Sequence, residues 1–225
     1  MQNGKIVRLG GDEKQSRRRL LPMLCYLLTA VLALGGCGLR LARDARDRRS
    51  GALTERALTL ADFEQVNAHT EGETVLVSDN EDPQLIYTAV PGQRLDRLRA
   101  AVTYDKYPYE RCLYYVTAPG EAFGQEKRVW AVEQPDGSLI FSLPRGVTAI
   151  RLDPGSRNAL RMDFSALVLN EQRPAKSYFL PDGGTAFALL AGPGLAAAVI
   201  QWAADFVAAW KTARAGQGGR RGKRG

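Results

Sequence analysis

The chain has almost no histidine: His69 is the only one in 225 residues. A histidine-ligated metal, a Ser-His-Asp triad or a Cys-His pair would each have to use that one side chain. It stands in Asn67-Ala68-His69-Thr70-Glu71, a polar stretch that reads as an exposed turn far in sequence from Cys112. No G-x-S-x-G, C-x-x-C or P-loop pattern accompanies it. Cysteine is scarce too. Three cysteines exclude a disulfide-stapled mini-protein, and Cys112 is the sole cysteine beyond residue 37, so no disulfide can close within the central part of the chain. Composition is otherwise near the globular average, with 45% hydrophobic and 24% charged residues. That excludes a collagen, a coiled coil and a wholly disordered chain.

The middle of the chain also lacks positive charge. Residues 50–186 hold 14 basic and 19 acidic residues, a net of −5, while residues 1–49 carry +7 and residues 187–225 carry +5. A nucleic-acid-binding domain needs its basic face on the folded part. Here the positive charge is confined to the ends, where it flanks apolar segments, so nucleic acid is not an expected partner.

Two long apolar segments are present. Leu20–Leu39 runs 20 residues without a charge, preceded by Arg17, Arg18 and Arg19 and followed by Arg40. At about 1.5 Å per residue it reaches roughly 30 Å, the thickness of a bilayer's hydrocarbon core. Pro22 stands at the start of the run, where a helix's first turn tolerates a missing N–H. The segment reads as a membrane helix or signal anchor; a cleavable signal peptide has the same order of basic, apolar and small residues. Leu34-Gly35-Gly36-Cys37 resembles a bacterial lipobox, in which Cys37 would receive a lipid and become the mature N-terminus. The second segment, residues 185–210, has no charge in its first 16 residues, and Asp205 lies close to the basic tail. Phe187, Trp202, Phe206 and Trp210 suit an interfacial belt. A spanning helix is expected here, with an amphipathic helix on the membrane surface as the alternative. Gly192-Pro193-Gly194 followed by Ala197 fits a dinucleotide-binding glycine pattern, but no second strand or acidic partner follows it. Both basic ends placed in the cytoplasm satisfy the positive-inside tendency.

The expected organisation is therefore a basic cytoplasmic N-terminus (1–19), a membrane helix (20–39), a linker or helical stem (40–56), an extracytoplasmic domain (57–184), a second membrane helix (185–210) and a basic cytoplasmic tail (211–225). Within the domain, apolar runs of four to seven residues alternate with turn signals, which is an all-β texture. Runs stand at 74–77, 85–88, 112–116, 128–132, 138–143, 148–152 and 159–169. Residues 97–104 alternate as a strand does, although the Leu95/Leu98 spacing also allows a helical turn. Pro135-Asp136-Gly137 marks a turn, with proline presetting φ and glycine accepting positive φ. Leu139, Phe141 and Leu143 share one face, taken as the inner one. About eight strands in 120 residues predict two packed antiparallel sheets, a jelly-roll-like β-sandwich.

Asp82-Pro83-Gln84-Leu85, Leu113-Tyr114-Tyr115 and the string from Leu143 to Gly155 (LPRGVTAIRLDPG) are similar to β-sandwich modules found outside the membrane in bacterial membrane proteins and glycosyltransferases of surface-polysaccharide synthesis. The resemblance covers residues 57–171 and implies a fold and a setting in envelope polysaccharide assembly. It carries no catalytic signature, and no transferase domain is present.

Binding is better supported than catalysis. Tyr104, Tyr107, Tyr109, Tyr114, Tyr115 and Trp130 fall within 27 positions, and aromatic faces stack on sugar rings. Alternation requires at least one of Tyr114 and Tyr115 to be structural. Tyr107 and Tyr109, flanking Pro108, and Trp130 are the candidate ligand-binding residues. Arg151 and Asp153 read as a structural ion pair near a strand end. No metal site, catalytic residue or cofactor is expected. The expected partners are the lipid bilayer and an envelope polysaccharide or other membrane proteins. Two alternatives stand beside this reading: a lipid-anchored or secreted carbohydrate-binding protein, and a hydrolase using a pair of carboxylates.

Overall fold

The computed structural model describes residues 9–221, with side chains for residues 20–214. Residues 1–8 and 222–225, the outermost parts of the two basic ends, lie outside the described residues. The chain divides into two compact units: Met1–Leu41 with Pro174–Gly225, and Ala42–Arg173.

The first unit is built on two helices. Helix α1 (Leu9–Arg49) contains the whole first apolar run, and α2 (Gly183–Arg221) the second. Both are long and apolar enough to cross a membrane by length and composition. Because α1 begins well before the apolar run, Pro22 lies inside the helix rather than in its first turn. Pro193 likewise lies inside α2, where a proline removes one helical N–H and crowds the carbonyl four residues back. Next to this weak point the Tyr26 hydroxyl of α1 donates to the Leu190 carbonyl of α2 at 2.7 Å. Gly194 makes the approach possible: a Cβ there would stand 3.2 Å from the Tyr26 hydroxyl. The dinucleotide-like glycines are thus helical, and Gly194 serves a helix contact.

The second unit contains, among the described residues, strands β1 (Arg56–Leu58), β2 (Glu64–Val66), β3 (Ala68–Glu71), β4 (Val75–Ser78), β5 (Gln84–Thr88) and β6 (Arg97–Tyr104). It continues with β7 (Cys112–Val116), β8 (Arg128–Trp130), β9 (Val132–Glu133), β10 (Leu139–Ser142), β11 (Ala149–Asp153) and β12 (Arg161–Leu169). They form two sheets. One has the order β3-β4-β12-β6-β10-β9, with β1 also paired to β12; the other has the order β2-β5-β11-β7-β8. All pairings are antiparallel. Residues 97–104 are strand throughout, so the alternation prevails over the helical spacing.

The core lies between the sheets. Leu76, Leu98, Phe141 and Met162 from the first meet Leu85, Leu113, Ile150 and Leu152 from the second, each at most 1% exposed. Leu139 and Leu143 join Phe141 on the inner face. Gly137, at φ +78°, closes the β9–β10 connection, with Gln134 N–H donating to the Ser138 carbonyl at 2.8 Å. The architecture is an antiparallel β-sandwich flanked in sequence by two long apolar helices.

Two local features differ from the sequence reading. His69 is in edge strand β3, not in a turn; its Nδ1 lies 2.6 Å from Asp79 Oδ1, with both side chains about half exposed. Thr70 and Glu71 point to no core, so the backbone ladder to β4 holds this polar strand. The stretch after Arg40 is helical to Arg49, as the stem alternative has it, but its end is docked by long-range contacts that the sequence reading does not include. Arg94 bridges Asp44 at 2.8 Å, Asp47 at 2.6 Å and Asp96 at 2.8 Å. Arg48 donates to the Asn170 carbonyl at 3.0 Å, and Arg173 bridges Asp96 at 2.8 Å. Both points where the chain leaves the β unit are therefore tied to one cluster of charges.

Candidate functional site: an aromatic and arginine face

Strand alternation determines what the five-stranded sheet shows on its outer side. Leu85, Leu113, Ile150 and Leu152 turn inward, so Ile86, Cys112, Tyr114, Arg151 and Asp153 turn outward. Register then aligns them across strands. Arg151 lies between Ile86 and Tyr114, and Tyr114 lies opposite Arg128; Asp153 lies opposite Cys112, and Cys112 opposite Trp130.

Tyr114 is only 7% exposed although it faces away from the core. Two guanidinium groups cover it: Arg151 at 4.5 Å from the ring centroid and Arg128 at 6.0 Å. Arg128 also sits 4.2 Å from the ring of Trp130, which is half exposed. Each such contact contributes about 0.5–2 kcal/mol, depending on how dry it is. Arg151 is held by Asp153 through two bonds of 2.8 and 2.6 Å, with Asp82 at 3.8 Å. Burial raises the Asp153 carboxyl above the ordinary carboxylate range, against the opposing pull of Arg151. The same burial pushes the Cys112 thiol up to about 11, which leaves it an unreactive packing group at neutral pH.

Tyr107 and Tyr109 lie on the loop entering β7. They are 69% and 58% exposed, with ring centroids 5.4 Å apart and planes at 85°. Their loop is fastened. Pro108 between them is buried, its carbonyl accepts from Ser156 N–H at 2.8 Å, and Ser156 Oγ accepts from Glu110 N–H at 3.3 Å. A Cβ at Gly155 would meet Leu160 at 2.6 Å and Pro108 at 3.2 Å, so only glycine allows this approach. Tyr109 itself has φ +57°, a left-handed conformation that disfavours a bulky side chain. Arg157 reaches over the Tyr109 ring at 5.7 Å. The Arg111 carbonyl accepts from Ala131 N–H at 3.4 Å, which keeps the start of β7 beside the residue after Trp130. Tyr107 and Tyr109 are thus brought together as a pair, and Trp130 stands near the same end of the sheet, stacked with Arg128.

Arg128 and Arg157 carry no periodic signal in the sequence. Only the shared face of Arg128 and Trp130, two apart on a strand, hints at their contact. Tyr115 packs against the core, and Tyr104 is fixed by donating to the Pro154 carbonyl at 2.9 Å.

Farther along the same outer face is a cleft of about 470 Å³. Ile86, Thr88, Val116 and Ala149 form its floor, and loops 89–93 and 118–123 form its walls. Glu121 braces one wall. Its carboxylate pairs with Lys127 and accepts from Thr117 N–H at 2.9 Å and Ala118 N–H at 3.2 Å, and these contacts, led by Lys127, pull its pKa down to about 2. A depressed carboxylate gives its full stabilisation above about pH 4.5 and loses it as pH falls toward 2.

The fold and this face define a β-sandwich module with a solvent-facing aromatic and arginine row. No family model and no curated protein matches the chain. Three solved structures of carbohydrate-binding modules are similar to part of it. A low-affinity xylan-binding module, CBM86, from Roseburia intestinalis is 10% identical, with 52% of this chain and 94% of that chain covered and a TM-score of 0.34. CsCBM6-3 from Clostridium stercorarium, in complex with cellobiose, is 12% identical, covering 54% and 95%, TM-score 0.33. A β-1,3-glucan-binding CBM6 from Bacillus halodurans is 12% identical, covering 50% and 92%, TM-score 0.33.

Proposed function

We propose that the chain is a non-catalytic module that binds a polysaccharide, tethered to a membrane by α1 and α2, with its β unit on the extracytoplasmic side. The observation that carries this reading is the Tyr107–Tyr109 pair. Two large apolar rings face solvent from a fastened loop, one on a left-handed backbone. Backbone strain kept at an exposed aromatic points to a binding surface rather than to packing. Tyr107, Tyr109 and Trp130 supply stacking faces for sugar rings, and the neighbouring charged side chains supply hydrogen bonds to hydroxyls.

Tethering is supported by the length and composition of both helices. The basic ends support a cytoplasmic location for both termini, and the resemblance of the 57–171 segment supports a place in envelope polysaccharide assembly. A cysteine placed at Asp136 should be labelled by an impermeant thiol reagent from outside the cell, and one placed at Arg220 only after permeabilisation. Labelling of position 220 from outside would remove the hairpin arrangement. The alternative with a lipidated Cys37 as mature N-terminus would discard Tyr26, the side chain that bonds α2. The uncleaved helix is therefore favoured over the lipid-anchored or secreted form.

The test of binding is a double substitution, Tyr107→Ala with Tyr109→Ala. Stability should change little, because exposed side chains usually contribute within about ±0.5 kcal/mol. Polysaccharide affinity should fall by about tenfold or more, since losing stacked aromatics costs on the order of 1–3 kcal/mol. A double variant that binds as the parent chain does would remove the platform, and a large loss of melting temperature would make the tyrosines structural.

A further inference from the structure

The charge of the polysaccharide follows from how the arginines of the β unit are used, given the reading above. From Arg56 to Arg173 the β unit holds eleven arginines. Eight of them have a carboxylate within 4 Å: Arg56, Arg94, Arg97, Arg99, Arg111, Arg151, Arg161 and Arg173. That is what an acidic unit should do, since residues 50–186 hold 19 acidic side chains against 14 basic ones. Three arginines, Arg128, Arg145 and Arg157, have no such partner among the described residues. Two of these three stand on the candidate site's aromatic rings, Arg128 on Trp130 at 4.2 Å and Arg157 on Tyr109 at 5.7 Å.

Stacking on an aromatic face orients a guanidinium but satisfies none of its five N–H donors. Its planar fork matches a carboxylate through two parallel bonds. The unit therefore has two oriented cations, each beside an aromatic ring of the candidate site and with no described carboxylate within 4 Å. Arg151 makes the contrast. It covers the other side of Tyr114 but is fully engaged by Asp153, with Asp82 nearby, so it is a structural member of the row.

We infer that the site takes an anionic polysaccharide whose sugars carry carboxylates, with Arg128 and Arg157 holding the carboxylates and Trp130 and Tyr109 stacking on the rings that bear them. Asp82 and Asp153 stand beside Arg151 and are engaged by it, and Glu110 is near enough to Arg128 to act on its charge; Arg128 and Arg157 remain the arginines of this face that no described carboxylate approaches within 4 Å.

The experiment uses the full chain in nanodiscs of uncharged lipid. The probes are polygalacturonate and its methyl-esterified form, which share a backbone and differ in charge, together with a neutral β-glucan. The chain should bind polygalacturonate about tenfold or more tightly than the methyl ester, as expected for losing one or two charge-assisted bonds. Arg128→Gln and Arg157→Gln should each remove most of that preference, read as the ratio of affinities for the acid and its ester. Arg128→Lys, which keeps the charge and loses the fork, should fall between. Arg157→Gln stands on its own if Arg128→Gln, which uncovers Tyr114, fails to fold. Equal binding of the acid and the ester would overturn the charge assignment and leave the polysaccharide reading intact. An acid preference that survives both substitutions would overturn the assignment to these arginines. Failure to bind any of the probes would overturn both readings.

Discussion

Phe141→Ala is expected to cost about 3–5 kcal/mol, the range for removing a fully enclosed phenylalanine from a core. The side chain is 0% exposed and shares the inner face of β10 with Leu139. It lies opposite Leu98 in register, and the second sheet closes over it with Leu113, Ile150 and Leu152. Truncation removes the ring from between two sheets that are each tied by their own backbone ladders, so they cannot collapse fully onto the space. Typical domains are stable by about 5–15 kcal/mol, and the loss would be a large fraction of that. Denaturant unfolding of the chain in detergent, followed by tryptophan fluorescence, should show a lower midpoint with an unchanged slope. Phe141→Leu, which refills much of the volume, should cost less than half as much. A loss under about 1 kcal/mol for the alanine variant would mean that the sheets do not enclose this side chain.

The contrast between Phe141 and Tyr114 shows what patterning can and cannot report. Leu139, Phe141 and Leu143 alternate with polar neighbours, and that period of two specifies an inner face whatever the partners are. Cys112–Val116 reads as a strand for the same reason. Tyr114 follows the alternation to the outer face, where it is buried all the same, because arginines from β8 and β11 lie over it. Burial beneath charged side chains leaves no hydrophobic signal. It depends on which strands are neighbours, and the β7–β8 and β7–β11 pairings follow from long-range topology rather than from local sequence. Strands β2 and β3 were illegible on different grounds. Glu64–Val66 and Ala68–Glu71 are short and polar, and they are held by backbone ladders at sheet edges. Trp130 could be named from its residue type, but its cation Arg128 could not. The Tyr107–Tyr109 loop could be named because Pro108 marks it, whereas the left-handed backbone of Tyr109 has no sequence signature outside glycine and asparagine. Asp44 and Asp47 have no legible partner in their own stretch, since Arg94, which they hold, lies some fifty residues away.

Arg94→Ala is expected to be the largest single loss among the charged residues, about 2–4 kcal/mol. Removing one member of a buried ion pair costs about 3–5 kcal/mol because it strands the other charge. Here the cost is lowered by partial solvation: the Arg94 side chain is 17% exposed, Asp44 10%, Asp96 15% and Asp47 32%. Three carboxylates would nevertheless lose one shared cation, while Asp96 would keep a second in Arg173. Burial opposes the Arg94 charge, but its carboxylate partners outweigh that and raise its pKa, so the guanidinium stays charged throughout the accessible range. Exposed pairs set the control. Arg161 with Glu71, both side chains about half exposed, should be worth no more than about 1 kcal/mol. The location of the damage distinguishes a junction from a general loss of stability. Asp44 and Asp47 are on the last turns of α1, and the Ala52 carbonyl accepts from Arg94 N–H at 2.7 Å. Amide hydrogen exchange in Arg94→Ala should therefore accelerate first over residues 44–55, with the β11–β7 ladder still protected. Neighbouring Asn170 is 1% exposed and donates to the Thr54 and Arg94 carbonyls at 3.2 and 2.7 Å. Through it the loosening should extend to residues 170–173. Exchange that rises uniformly across the β unit, or a loss within about 0.5 kcal/mol of the Arg161 control, would mean that Arg94 does not fix the end of α1 to the sandwich.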